Sequence, residues 1–167
     1  LAKLELSELE REYRAQIDWV FATGLRPTHL DSHCGIHTRR EEAFDLTLAL
    51  AQEYGLALRV SGEGFIRKMQ GRGFPVNEHQ LMDSYDLALE QKSASYLDML
   101  RELPVGLSEW AVHPGLASDE LKALMPSWEV RQSDFDFLMS AEARDVIKEE
   151  GIVLLDYHTL QKRWQTL

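Results

Sequence analysis

The chain carries a single cysteine, Cys34, in 167 residues, so no intrachain disulfide can staple it and the fold rests on packing. That absence fits a reducing compartment, and a cytoplasmic location is expected. No apolar run approaches the roughly 20 residues that a membrane-spanning helix needs, so no membrane partner is expected. The opening residues are charged and helical in pattern, unlike a secretory leader. Positive charge is scarce: 18 Lys and Arg face 28 Asp and Glu, a formal net charge of -10. An acidic surface repels phosphate backbones, which argues against nucleic acid as a partner. The basic groups Arg39-Arg40 and Arg67-Lys68 with Arg72 read as solvated surface charge. An initiating methionine is also missing. The chain opens on Leu1, and an upstream segment is expected.

What is present reads as a folded domain. Hydrophobic residues make up 44% and charged residues 28%, and the length allows one domain over residues 1–167 with a real core. Residues 7–23 have helical spacing through Leu9, Tyr13, Ile17, Val20 and Phe21, with Ser7 and Glu10 as a capping box and Gly24 as the stop. A strand is expected at 28–33, then a helix opened by Thr38 with Glu41 and closed by Gly55. Leu56 to Val60 reads as a strand, and the glycine-rich stretch 61–75 as a long loop with a helical turn at 65–69. Strands are expected at 79–82 and 107–112, and a helix over 87–102 ended by Pro104. Ser118, Ser133 and Ser140 read as helix caps, residues 152–155 as a last strand, and 159–164 as a terminal helical turn. Helix and strand alternate, so the expected class is α/β: a partial (β/α) barrel-like fold with parallel strands and flanking helices.

The densest chemistry lies in Thr28-His29-Leu30-Asp31-Ser32-His33-Cys34-Gly35-Ile36-His37. On a strand, His29, Asp31 and His33 would share one face, because side chains alternate. Imidazoles and a carboxylate together suit a divalent metal or an acid/base set. His113 ends another expected strand before Pro114-Gly115 and suits a general acid. Glu109 and Ala111 would share its face. Arg131 and Asp134 are spaced for an ion pair, and His79 with Asp83 and Asp86 forms a weaker cluster. Trp19, Trp128 and Trp164 read as packing residues, whereas Trp110 could stack on a sugar ring.

These residues resemble the YdjC-like family, which includes chitooligosaccharide deacetylases. The resemblance rests on residues 26–33, on Glu53-Tyr54-Gly55-Leu56 with Leu58-Arg59, on Glu109-Trp110 with His113-Pro114-Gly115, and on Glu150-Gly151-Ile152. It runs from about residue 8 to 157 and is to the C-terminal portion of the family pattern. The resemblance implies a barrel-like fold and hydrolysis of an N-acetyl group on an amino sugar or oligosaccharide at a divalent metal, Mg2+ or Zn2+. It makes His33 a metal ligand with His29, and gives catalytic roles to His113, as acid or substrate contact, and to Asp31, as support for the site. Cys34-Gly35 interrupts the family's run of histidines before His37. The family's early aspartate motif has no counterpart in residues 1–27. Two other readings are a non-catalytic sugar-binding or interaction module and a metallohydrolase for another amide or ester. A homodimer through an open sheet edge is a further expectation.

Overall fold

The first helix, α1 (Leu6–Ala22), buries Leu9 and Ile17 on one face, as the spacing predicts. Trp19, expected to pack, is 70% exposed. The capping box at Ser7 does not form: the helix is flanked by Glu5, and Glu10 is drawn one turn along to Arg14 (2.9 Å). Arg14 also grips Glu53 of the next helix through two bonds of 2.6 and 2.8 Å. The computed structural model of the chain describes residues 5–167.

β1 (His29–Leu30) pairs in parallel with β2 (Ala57–Leu58), with His29 opposite Ala57 and Leu30 opposite Leu58. α2 (Glu41–Glu53) makes the crossover between them and buries Phe44, Leu48 and Ala51. The first strand is shorter than the expected 28–33. A 3-10 segment, His33–Arg39, follows it and is broken at Cys34 (φ 55°) and Gly35 (φ 60°). Two successive residues in the left-handed region swing the chain out of the extended direction. Thr38 does not cap α2, because its hydroxyl donates to the Gly35 carbonyl (2.9 Å). Gly55, at φ 67°, closes the helix as expected.

The stretch read as a loop holds a full helix, α3 (Glu63–Gly71), which buries Ile66 and Met69. Its Phe65 ring lies 4.3 Å from that of Phe44. The terminal helix, Tyr157–Trp164, adds Trp164 to the same core and ties it down by an indole N–H bond to the Pro75 carbonyl (2.9 Å). These segments, up to Glu78 and again from Leu155 to Leu167, form one compact unit; His79–Leu154 form another.

In the second unit β3 (Met82–Asp83) pairs in parallel with β4 (Trp110–Ala111). α4 (Lys92–Arg101), α6 (Trp128–Met139) and α7 (Ala141–Glu149) build a core of Tyr96, Leu100, Phe137, Ala143 and Val146, whereas the short α5 (Asp119–Leu124) buries no residue. Ser118 and Ser140 are caps, accepting from the Leu121 and Ala143 amides. Ser133 is not. It sits inside α6 and donates to the Val130 carbonyl (2.8 Å). Residues 152–155 form no strand: Val153 and Leu154 are strongly exposed and have no ladder partner among the described residues.

The chain is therefore mostly helical with short parallel strands. The partial barrel-like arrangement expected from the alternation is not shown among the described residues. A barrel needs every strand bonded on both sides. Among the described residues each strand has one partner, and the sheets stay two-stranded.

Candidate functional site

The histidine-rich segment is spread over three kinds of local structure. His29, on β1, is half-buried. Its ring stacks on Tyr157 with centroids 3.7 Å apart, and Nδ1 lies 3.0 Å from the Thr28 hydroxyl. Burial lowers its pKa, opposed by the charge of Asp31 and reinforced by that of Arg59. Asp31, just past the strand, forms an ion pair with Arg59 (2.7 Å), the residue after β2. His33 opens the 3-10 segment and is exposed. The single strand face expected for His29, Asp31 and His33 does not exist, because the strand ends at Leu30.

His37 has a purely internal environment. It is 1% exposed, with Nδ1 2.6 Å from the Ser32 hydroxyl and Nε2 3.0 Å from the Arg59 carbonyl. A carbonyl can only accept, so Nε2 carries the proton and Nδ1 accepts from Ser32. Burial pushes the His37 pKa down, against the opposing Arg59 carbonyl bond, and keeps the ring neutral. It anchors the turn after β1 to the strand beside it.

Among the described residues no three His, Cys, Asp or Glu side chains converge as metal ligands. Both ring nitrogens of His37 are hydrogen-bonded and Asp31 is paired with Arg59, while His29 stacks on Tyr157 with Nδ1 beside the Thr28 hydroxyl. The groups as placed do not make a closed ion site.

In the second unit His113 lies two residues beyond β4. Its backbone N–H donates to Oδ2 of Asp134 (2.8 Å), and the Gly115 N–H donates to the Arg131 carbonyl (3.0 Å). Its ring meets Tyr85 edge-on at 5.0 Å, and its Nδ1 is buried without a hydrogen-bond partner. The Tyr85 hydroxyl bonds Ser127 (2.7 Å). Asp134 is fully buried, and its other oxygen accepts from Lys92 Nζ (2.7 Å) and the Tyr96 hydroxyl. The Asp134 carboxyl is pressed upward by burial. The bonds from Lys92, Tyr96 and the His113 amide outweigh this and hold it below its ordinary value. Lys92, also buried, is pulled down by burial and lifted more strongly by Asp134 and Tyr96.

Sequence reasoning missed this network. Asp134 does not pair with Arg131, whose Nε is itself buried without a partner. Trp110 is half-buried. Its indole N–H bonds Ser84 (2.9 Å), and its ring packs against Tyr96 and Phe137. His79 bonds the Val105 carbonyl 26 residues away, and Asp83, at the end of β3, accepts locally from the Tyr85 amide. An open cleft of about 450 Å³, lined by Gln70, Phe74, Glu78, Arg163 and Leu167 among others, contains none of the candidate residues.

The model of the YdjC-like protein family matches residues 1–149. The chain belongs to this family. Among its relatives, a carbohydrate deacetylase of Enterococcus faecalis is 29% identical over 164 residues, covering 95% of this chain and 62% of that protein. A carbohydrate deacetylase of Thermoanaerobacter pseudethanolicus is 24% identical, covering 94% and 61%. A solved Enterococcus faecalis structure, provisionally named a cellobiose-phosphate cleavage protein, superposes with a TM-score of 0.77 at 26% identity, over 95% of this chain and 62% of that one. The chain thus spans about three fifths of the length of these relatives. No helix among the described residues is long and apolar enough to cross a membrane.

Proposed function

We propose that the chain belongs to a carbohydrate deacetylase that removes N-acetyl groups from amino sugars or their oligosaccharides. The observation that carries this reading is the match to YdjC-like relatives named carbohydrate deacetylase across 94–95% of the chain. In the proposed reaction a water oxygen adds to the amide carbonyl carbon. The C–N bond then breaks, and the amine departs with a proton. An amide nitrogen is a poor leaving group unless it is protonated. His113 is the proposed proton donor, since an imidazole nitrogen can carry a proton and hand it to a leaving amine. Asp31, held by Arg59 beside the strand end, is proposed to support the segment that carries His33. A divalent ion on His33 and His29 remains an expectation of family membership. The described residues do not supply a third ligand, so no step is assigned to the ion.

In a second reading this chain alone would bind a sugar without turning it over, since among the described residues no three side chains converge as metal ligands. One experiment separates the two. Purified chain is incubated with N-acetylated chitooligosaccharides, with and without chelator, and acetate release is measured beside glycan binding. Acetate release that His33→Ala abolishes supports the deacetylase. Binding with no acetate under any metal supports the binding module. Turnover of simple esters or amides in preference to sugars would place the activity in another hydrolase class. Activity untouched by His33→Ala would refute the role of that residue.

A further inference from the structure

The His113-Pro114-Gly115 turn is held at both ends by one helix. Asp134 and Arg131, one turn apart on α6, accept from the His113 and Gly115 amides at 2.8 and 3.0 Å. There is no slack at the glycine: a Cβ there would stand 3.2 Å from Leu121 and 3.3 Å from Arg131. The Asp134 carboxylate is bound in turn to Lys92 and Tyr96, both on α4 and both buried. One carboxylate therefore ties α4, α6 and the strand end together. The imidazole has no such anchor of its own, because its Nδ1 makes no hydrogen bond. Its direction is set by the backbone beneath it and by the edge-on Tyr85 ring.

Burying an ion pair is a poor way to gain stability, since well-packed apolar residues of the same volume often do as well or better. What an apolar pair cannot do is accept the His113 N–H. We propose that Asp134, aimed by its bonds from Lys92 and Tyr96, is a positioning residue that fixes His113 for proton transfer to the departing amine. The inference rests on the deacetylase reading and adds to it a residue that need not touch substrate.

The test uses the full-length protein that carries this chain, in three forms of the network. Single substitutions risk unfolding, so the pair is changed together. Lys92→Met with Asp134→Leu removes both charges and the acceptor. Lys92→Met with Asp134→Asn removes the charges but keeps an oxygen for the His113 amide. Thermal melts establish that each form folds, and acetate release from N-acetylated chitooligosaccharides gives kcat and KM. The leucine form is expected to lose about 100-fold in kcat with KM little changed, the cost of a misplaced catalytic group. The asparagine form is expected to recover most of that loss. A merely structural role would leave kcat intact in a folded protein and would show no recovery. A folded leucine form with wild-type kcat overturns this proposal and leaves the deacetylase reading standing. Absence of acetate release from the full-length protein that carries this chain overturns the deacetylase reading and this proposal with it.

Discussion

Replacing Lys92 by methionine should be among the most damaging single changes in the second unit. Lys92 and Asp134 are 1% and 0% exposed, and Nζ lies 2.7 Å from the carboxylate. Methionine fills much of the volume but leaves the charge of Asp134 buried, supported only by the Tyr96 hydroxyl and the His113 amide. Removing one partner of a buried pair costs about 3–5 kcal/mol, because the other charge stays desolvated. For a chain of this size roughly 2–4 °C of Tm accompanies each kcal/mol, so Tm should fall by about 6–20 °C. Changing both partners to Met and Leu removes the stranded charge. It leaves two donors without their acceptor, the His113 amide and the Tyr96 hydroxyl, each worth about 1–3 kcal/mol, against the relief of desolvating two charges, and the double variant should be more stable than Lys92→Met alone. Urea unfolding at pH 7, followed by far-UV circular dichroism, measures both; an unchanged slope certifies that only stability has moved. The pH dependence has a defined sign. The Asp134 pKa is depressed by folding, so its contribution is complete above the ordinary aspartate value and is lost as pH falls through the folded one. Lys92 is raised, so its contribution is complete below the ordinary lysine value and is lost as pH rises through the folded one. A Lys92→Met protein within about 1 kcal/mol of wild type would refute the energetic reading of the pair.

Three further outcomes can be checked by the same unfolding measurements. Phe44→Ala should cost about 3–5 kcal/mol, since the ring is fully buried and packs on Phe65. A loss under 1 kcal/mol would mean that the first unit's core lies elsewhere. Two glycines should respond with opposite signs. Gly35→Ala should destabilise by about 1–2 kcal/mol, because φ is 60° and a Cβ would press on the Thr38 hydroxyl. Gly64→Ala, within α3 and facing open space, should stabilise by about 0.5–1 kcal/mol. Finally, His37 and His29 are lowered by burial. Their contribution is complete above the ordinary histidine value of about 6.5 and is lost as pH falls below it. Stability should therefore drop between pH 7 and 5, and His37→Asn should flatten that drop; an equally steep profile in the variant would remove His37 from the account.

The helices were the most legible part of the sequence. Apolar residues at helical spacing predicted α1, α2 and α4, and the caps at Ser118 and Ser140 were visible because a cap is a contact between near neighbours. Where a side chain had a competing partner, the same local reasoning failed. Glu10 turned to Arg14 instead of closing a capping box, Thr38 turned back to Gly35, and Ser133 bonded Val130 within its helix. The strand read at 28–33 shortened because its partner β2 spans only Ala57–Leu58: Ser32 is still extended but has no ladder beside it, which no alternation of polar and apolar residues reveals. The strand read at 152–155 failed for the same reason. Its residues have strand propensity, but a strand exists only when another is beside it.

The amino-acid sequence by itself determined the family, the parallel character of the strands and the residues worth testing, because these reside in short strings such as Thr28-His29-Leu30-Asp31-Ser32-His33. Tertiary structure alone decided what those residues touch. His29 meets Tyr157, Asp31 meets Arg59 across 28 positions, and Asp134 meets Lys92 across 42. The physical reason is that charge, burial and hydrogen bonding act over a few ångströms in space, and chain folding brings to that distance residues whose separation in sequence carries no trace of it.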